Sequence, residues 1–167
     1  MDRNFMTYDP QAASVIIREE LEMLAWRIQS NLASTGTNAT GKTSRSLRVE
    51  VDENGGRLIG RPFFHGVETG RGKGGVPRNF HSIILAWMEA KGVHADDGDD
   101  DGFARGIEWK IRKKGTNLFL RGGRADIYTN EIPRTTKNIS ERLSRLIATK
   151  FIDINQTIGR RITGTIK

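Results

Sequence analysis

The sequence predicts an α+β fold in which a small antiparallel sheet is flanked by a long N-terminal helix and further helices, with extended loops and arms. Two observations lead to this prediction. Apolar residues recur every three or four positions in four separate stretches, and they alternate with charged residues in one stretch near residue 50. The chain of 167 residues, 36% hydrophobic and 28% charged, fits one ordinary domain. We expect this domain at residues 1–150 and a C-terminal extension or arm at 151–167.

The first helix is predicted over residues 10–33. Asp9 is a suitable N-cap and Pro10 suits the first helical position. The apolar residues that follow at helical spacing are Ile17, Leu21, Leu24, Ile28 and Leu32.

A β-hairpin is predicted next. Leu47, Val49 and Val51 alternate with charged residues, and Leu58 and Ile59 resume after a turn at residues 54–56. Phe63 and Phe64 predict another short extended piece. The sequence GRGKGG at residues 70–75 then predicts a mobile loop.

Three further helices are expected in the second half of the chain. One carries Phe80, Ile83, Ile84 and Trp87 and ends at Gly92, and another carries Phe103, Ile107 and Ile111 and ends at Gly115. Residues 126–132 are typical of a strand or an extended arm. Asn138 and Glu141 have the spacing of a capping box, which predicts that the last helix starts there.

Composition limits the classes of function. The chain has no cysteine, which excludes disulfides and thiol chemistry and favours assembly in a reducing cytoplasm. No apolar run is long enough for a membrane span, so we expect no membrane partner. The net charge of +7 arises mainly from residues 41–80 and 121–167, which suits either nucleic acid or an acidic protein surface.

The sequence contains two motifs that are typical of ligand-binding loops. Gly36, Gly41, Lys42 and Thr43 fit a phosphate-binding loop, but here the loop follows a helix and precedes a strand, the reverse of the required order. The second motif is the calcium-loop spacing of Asp97, Asp99, Asp101 and Glu108. Arg105 at the ninth position and an early helix end at Gly92 favour a solvated acidic loop over a metal site. Calcium stays a weak alternative.

Enzymatic chemistry has little support in the sequence. The three histidines are scattered along the chain, and His65 near Glu68 is more often an ordinary polar pair than a catalytic one. We therefore expect no enzyme activity, no catalytic residues and no cofactor.

Residues 39–92 carry a combination of segments, which are ATGKTSRSLRVEV, FFHGVETGRGKGGVP and IILAWMEAKGV. This combination resembles the tail-completion, or head-to-tail joining, proteins of tailed bacteriophages and prophages. Phe63, Glu68, Thr69, Gly70, Trp87 and Gly92 fall on the family pattern. A second stretch, FARGIEWKIRKKGTNLFLRGGRADIYTNEI, is similar to an arm of some virion proteins. Together the two stretches cover about half of the chain.

The resemblance implies a structural virion protein, a ring-forming subunit of the head-tail connector or neck that is assembled in the host cytoplasm. Its implied partners are copies of itself, portal or adaptor proteins, tail proteins and the packaged DNA that crosses the ring lumen. Arg71, Lys73, Arg121 and Arg124 are the candidate interface residues. A basic nucleic-acid-binding protein is the alternative, although no known DNA-binding motif is recognisable.

Overall fold

A computed structural model describes residues 9–164 of the chain, and side chains as far as residue 157. The fold is α+β, as predicted. Its elements are α1 (Pro10–Ser34), β1 (Arg48–Asp52), β2 (Gly55–Ile59), α2 (Gly66–Thr69), α3 (Phe80–Lys91), α4 (Asp100–Lys114), α5 (Asn117–Leu120) and α6 (Ile132–Gly164). Short 3-10 turns lie at Ser44–Ser46 and Thr129–Glu131. No helix within this described part is long and apolar enough to cross a membrane.

Helix α1 begins and ends where the sequence predicts. The Asp9 carboxylate accepts hydrogen bonds from the backbone N–H groups of Gln11 and Ala12, and Pro10 opens the helix. At the other end Gly36 has φ +64°, and the N–H groups of Gly36 and Thr37 donate to carbonyls of the last turn. This is the glycine-terminated helix end known as a Schellman motif.

The hairpin pairs β1 with β2 in antiparallel register, with Val49 opposite Leu58 and Asp52 opposite Gly55. The turn is therefore Glu53 and Asn54, and Gly55 and Gly56 belong to β2 rather than to the turn. Gly56 lies under α1, where a Cβ atom would come within 2.4 Å of Ile17. Because Gly56 has no side chain, α1 can approach the sheet closely at this position.

The apolar core is divided into two clusters. The first joins α1, the hairpin and the segment before α6, and its buried members are Leu21, Leu24, Ile28, Leu32 and Ile127. The second lies between α3 and α4, and its buried members are Ile84, Met88 and Ala104. We call the parts of the chain around them the α1 region and the α3–α4 region.

Two predicted extended segments are instead turns and helices. Residues 62–65 form turns that lead into α2, and the Phe64 ring packs against Tyr128 with ring centroids 5.9 Å apart. Residues 126–132 form turns and the 3-10 segment rather than a strand. The predictions of a strand or arm at these two places are wrong.

The start predicted for the last helix is also wrong. Helix α6 begins at Ile132, and Asn138 lies inside it, where its side chain donates to the Glu20 carboxylate instead of capping a helix end. The helix continues without a break past residue 150 to Gly164. The expected boundary between domain and arm therefore falls within α6, and residues 165–167 of that arm lie outside the described residues.

Candidate functional site

The most strongly bonded polar group in the described structure is the buried carboxylate of Glu68, in α2. Its Oε1 atom accepts hydrogen bonds from three consecutive backbone N–H groups, those of Ile127 at 2.9 Å, Tyr128 at 2.7 Å and Thr129 at 3.0 Å. Its Oε2 atom accepts a bond from the Thr129 hydroxyl. Glu68 therefore serves as the N-terminal cap for the 3-10 turn that leads into α6, from about 60 positions away in sequence.

The charge of Glu68 is stabilised by these bonds. Burial by itself raises the pKa of a carboxyl group, but the hydrogen bonds from Thr129, Tyr128 and Ile127 outweigh it and hold the pKa of Glu68 below its ordinary value. The group is only 3% exposed and forms no ion pair with any described residue, so the hydrogen bonds hold its charge at neutral pH. Such an anion at the start of a helix is also favoured by the helix dipole.

The backbone around Glu68 closes the same junction. The N–H of Arg124 donates to the Glu68 carbonyl at 2.8 Å. Gly123, with φ +84°, allows this approach, since a Cβ atom there would lie 2.8 Å from that carbonyl oxygen. On the other side Asn31 of α1 donates to the carbonyl of the fully buried Ile127. Glu68 thus joins two distant parts of the chain, residues 39–92 and residues 103–132.

A second junction joins the loop after α2 to the end of α4. Arg71 and Thr116 exchange hydrogen bonds, with the Arg71 N–H on the Thr116 hydroxyl and the Thr116 N–H on the Arg71 carbonyl. The N–H of Gly74 donates to the Arg112 carbonyl at 3.0 Å. Residues 70–75 form a loop, as predicted, and Arg71 and Gly74 hydrogen-bond this loop to the C-terminal end of α4 and the residues just after it.

The four predicted interface residues have different surroundings. The Arg71 guanidinium bonds to the Gly75 carbonyl and lies 5.4 Å from the centroid of the Phe80 ring. Arg124 forms a two-pronged pair with Asp126. Lys73 and Arg121 are exposed and have no ion pair within the described residues. Of the four, these two are available to another molecule without breaking an existing contact.

Several large aromatic side chains are exposed on the described surface. All three tryptophans are among them, with Trp26 at 63%, Trp87 at 41% and Trp109 at 61% exposure. Phe63 is 82% exposed and has φ +65°, a left-handed conformation that no other non-glycine residue of the described chain adopts. The sequence marked Phe63 and Trp87 as members of the family pattern but gave no sign that these rings face solvent.

The order of elements around the phosphate-loop motif is the one that the sequence predicts. Gly36 ends α1, and Gly41, Lys42 and Thr43 lead through the 3-10 turn into β1. The carbonyl of Gly41 accepts bonds from Arg45 and Ser44, and Lys42 is exposed. No helix N-terminus follows the motif to face a phosphate group.

The carboxylates of the calcium-loop motif are engaged by protein groups, and His81 lies within 4.0 Å of both Asp101 and Glu108. Helix α4 begins at Asp100, so Asp99 caps it by accepting from the Gly102 N–H, whereas Asp101 and Glu108 lie inside it. Asp101 contacts His81 and Arg105, and Glu108 contacts Arg112. Within the part of the chain that the structure describes, no three His, Cys, Asp or Glu side chains are grouped to hold a metal ion.

The histidines are likewise paired locally. His81 lies 2.7 Å from Asp101 and His94 lies 2.9 Å from Asp100. These contacts lower the pKa of both aspartates. His65 forms no side-chain bond with Glu68 among the described residues, because the Glu68 oxygens are directed at residues 127–129.

The arrangement is that of an α+β protein with a carboxylate-centred junction, exposed aromatic side chains and a basic loop attached to a helix end. Comparisons of the chain with protein-family models, with curated proteins and with solved structures found no match.

Proposed function

We propose that the protein is a structural virion protein, a ring-forming subunit of the head-tail connector or neck that completes the tail of a bacteriophage or prophage. The exposed aromatic side chains are the observation that supports this proposal most directly. Fourteen large apolar side chains are exposed, against nine apolar side chains buried in the core, over the described residues. Tryptophan is usually well buried in a free subunit and is enriched at the energetic centres of protein interfaces.

Phe63 adds a second line of support. A left-handed conformation costs a bulky residue about 1–2 kcal/mol, and burial of the ring does not offset that cost in the isolated chain. A residue that is strained and exposed in the free subunit fits a role in a contact made on assembly. Phe63 lies in the turn that leads into α2, the helix that carries Glu68.

A closed ring needs two different surfaces on each subunit, since neighbours meet head to tail. Trp26 lies on α1, beside Met23 and the α6 residues Arg134 and Asn138. Trp87 and Trp109 lie on α3 and α4, in the other region. The aromatic side chains are therefore distributed over both regions, as a head-to-tail contact requires. No enzymatic step is part of this proposal.

The proposal is tested with particles that lack this gene product and are supplied with plasmid-encoded variants. We expect the null background to accumulate DNA-filled heads and separate tails in electron micrographs, and the wild-type chain to restore joined particles. Isolated wild-type protein should sediment as a monomer at micromolar concentration, because a weak contact becomes stable only on a circular partner that holds neighbours at high effective concentration.

Two substitutions of Phe63 separate assembly from folding. Phe63→Gly removes the ring and relieves the backbone, so the melting temperature of the isolated chain should stay equal or rise, while head-tail joining falls at least tenfold. Phe63→Ala removes the ring but keeps the strain, and it should reduce joining equally with no gain in melting temperature. Normal joining by both variants, joined particles in the null background, or catalytic turnover by the wild type would contradict the proposal.

The alternative of a dedicated nucleic-acid-binding protein is supported by the pI near 10.0. It makes the opposite prediction for this experiment, because head-tail joining would then be independent of the gene product.

A further inference from the structure

Two of the acid-free stretches of the chain carry nine basic residues between them. Residues 69–88, between Glu68 and Glu89, include Arg71, Lys73 and Arg78. Residues 109–125, between Glu108 and Asp126, include Lys110, Arg112, Lys113, Lys114, Arg121 and Arg124. Together these nine basic residues carry more positive charge than the net charge of +7 of the whole protein.

The fold places the two stretches side by side. The loop of residues 71–74 lies along the C-terminal end of α4. It is held there by hydrogen bonds between Arg71 and Thr116 and between Gly74 and Arg112. Contact is close at Gly115, which has φ +87°, because a Cβ atom there would lie 2.7 Å from the Arg71 carbonyl oxygen. Lys73 is therefore held next to the last turn of α4, although it is about 40 positions away in sequence.

Some of these cations have local partners that account for them. Arg112 pairs with Glu108, and Arg124 pairs with Asp126. Positive charge near a helix C-terminus is also favourable in itself. The helix end favours Lys113 and Lys114, which lie in the last turn of α4, but neither explanation applies to Lys73 or Lys110. Lys73, Lys110, Lys113 and Lys114 are exposed, and none of them has an ion pair within the described residues. We call these four residues the lysine cluster.

Like charges held together repel one another, and a loop that is hydrogen-bonded to a basic helix end and adds Lys73 there increases that repulsion. Such an arrangement suits a partner of high negative charge density. Lysine is depleted in the centres of protein–protein interfaces, whereas neutralised phosphates dominate the binding of nucleic acids. Duplex DNA, with one negative charge per about 1.7 Å of axis, has the higher charge density of the two candidate partners.

We propose that the lysine cluster binds the phosphate backbone of duplex DNA without reading its sequence. This inference goes beyond the proposed function, because it concerns a surface of the single subunit and does not require a ring.

The test measures binding of the full chain to a fluorescent 30-base-pair duplex by anisotropy at several salt concentrations. We compare the wild type with the triple variant Lys73→Gln, Lys113→Gln, Lys114→Gln. Glutamine keeps good helix propensity, so α4 should form. We expect the triple variant to bind at least tenfold more weakly at about 100 mM salt. The slope of log K against log salt should be smaller by up to about 3, since each lost phosphate contact removes about 0.9.

The matched control removes the same charge elsewhere, with Lys137→Gln, Arg145→Gln and Lys150→Gln on α6, all exposed side chains. It should weaken binding by less than twofold. A second duplex of unrelated sequence should bind equally well.

Equal loss in the two triple variants would show that only net charge matters and would overturn the proposal. So would undetectable binding of the wild type at 50 mM salt, or displacement of the duplex by poly-glutamate at equal charge concentration, which would identify an acidic protein surface as the partner. Each of these results leaves the head-tail joining experiment unaffected, so the two proposals fail separately.

Discussion

The two apolar clusters differ in how many parts of the chain build them. In the α1 region four of the five buried residues lie on α1, the fifth is Ile127 from beyond residue 120, and partly buried residues of the hairpin pack against them. The α3–α4 region is a pair of helices close together in sequence, with Ile84 and Met88 packed on Ala104. Eight partly buried apolar residues surround the first cluster and four surround the second.

This difference has consequences for stability within one chain. Buried apolar area is the main favourable contribution to folding, and the α3–α4 region buries less of it. Local opening takes place where buried contacts are few. We expect the α3–α4 region to open while the α1 region stays folded. The lysine cluster lies at the end of α4, on the less stable side of this division.

The difference in stability between the two clusters is tested most strongly by removing a large side chain from each of them. Leu32→Ala, at a fully buried position of the α1 region, should lower the free energy of unfolding by about 4 kcal/mol. Met88→Ala should cost about 2–3 kcal/mol, mostly as local opening of α3 and α4. Native-state hydrogen exchange and denaturant unfolding measure the two effects.

In the Met88→Ala variant, amide protection should fall in residues 80–114 and be kept in α1. Equal loss of protection throughout the chain would mean that both clusters unfold as one unit.

Glu68 is expected to give the next largest effect. Glu68→Gln keeps an acceptor for the three backbone N–H groups but loses the charge, and it should cost about 2 kcal/mol at pH 7. The folded-state pKa of Glu68 lies below its ordinary value near 4.5. Its contribution is therefore fully present above about pH 4.5 and is lost as the pH falls further through the folded-state pKa.

Unfolding measured from pH 7 to pH 2 should show the difference between wild type and Glu68→Gln shrinking only below about pH 4.5. The comparison with Gln is needed because Asp100, Asp101 and Asp126 also have a lowered pKa and lose stability in the same acidic range. A constant difference over the whole range would contradict the assignment of this charge to the junction.

The smallest loss of stability is expected when an aspartate that caps a helix is replaced, and the chain has such a cap in each region. Asp9 caps α1 and Asp99 caps α4, and replacing either by Ala should cost about 1 kcal/mol. Asp9→Ala should lower the global melting temperature, whereas Asp99→Ala should mainly reduce protection of α4. Stabilisation of the wild type by millimolar calcium that Asp99→Ala abolishes would instead support the calcium-loop interpretation.

Local signals in the sequence were sufficient for much of the fold. Asp9, Pro10 and Gly36 define α1 because helix ends are recognised by residues next to them. The alternation of Leu47, Val49 and Val51 identified the hairpin, and Gly92 and Gly115 marked the ends of α3 and α4. The interface role of the four candidate residues stays a prediction, and the structure adds that Lys73 and Arg121 are exposed whereas Arg71 and Arg124 are held by contacts within the chain.

The start of α6 was missed because its cap is not local. Residues 126–132 have β-type composition, and Asn138 with Glu141 imitates a capping box. The cap is supplied by Glu68, whose carboxylate reaches the N–H groups of residues 127–129 only after α2 and α6 are brought together.

The sequence by itself determined the fold class, the ends of α1, the hairpin and the basic character of residues 41–80 and 121–167, because each depends on spacing and charge along the chain. Only the tertiary structure decided that Glu68 is buried at the start of α6, that all three tryptophans are exposed and that Lys73 lies beside α4. Burial and long-range hydrogen bonds depend on which distant segments pack together, and that information is not carried by local periodicity.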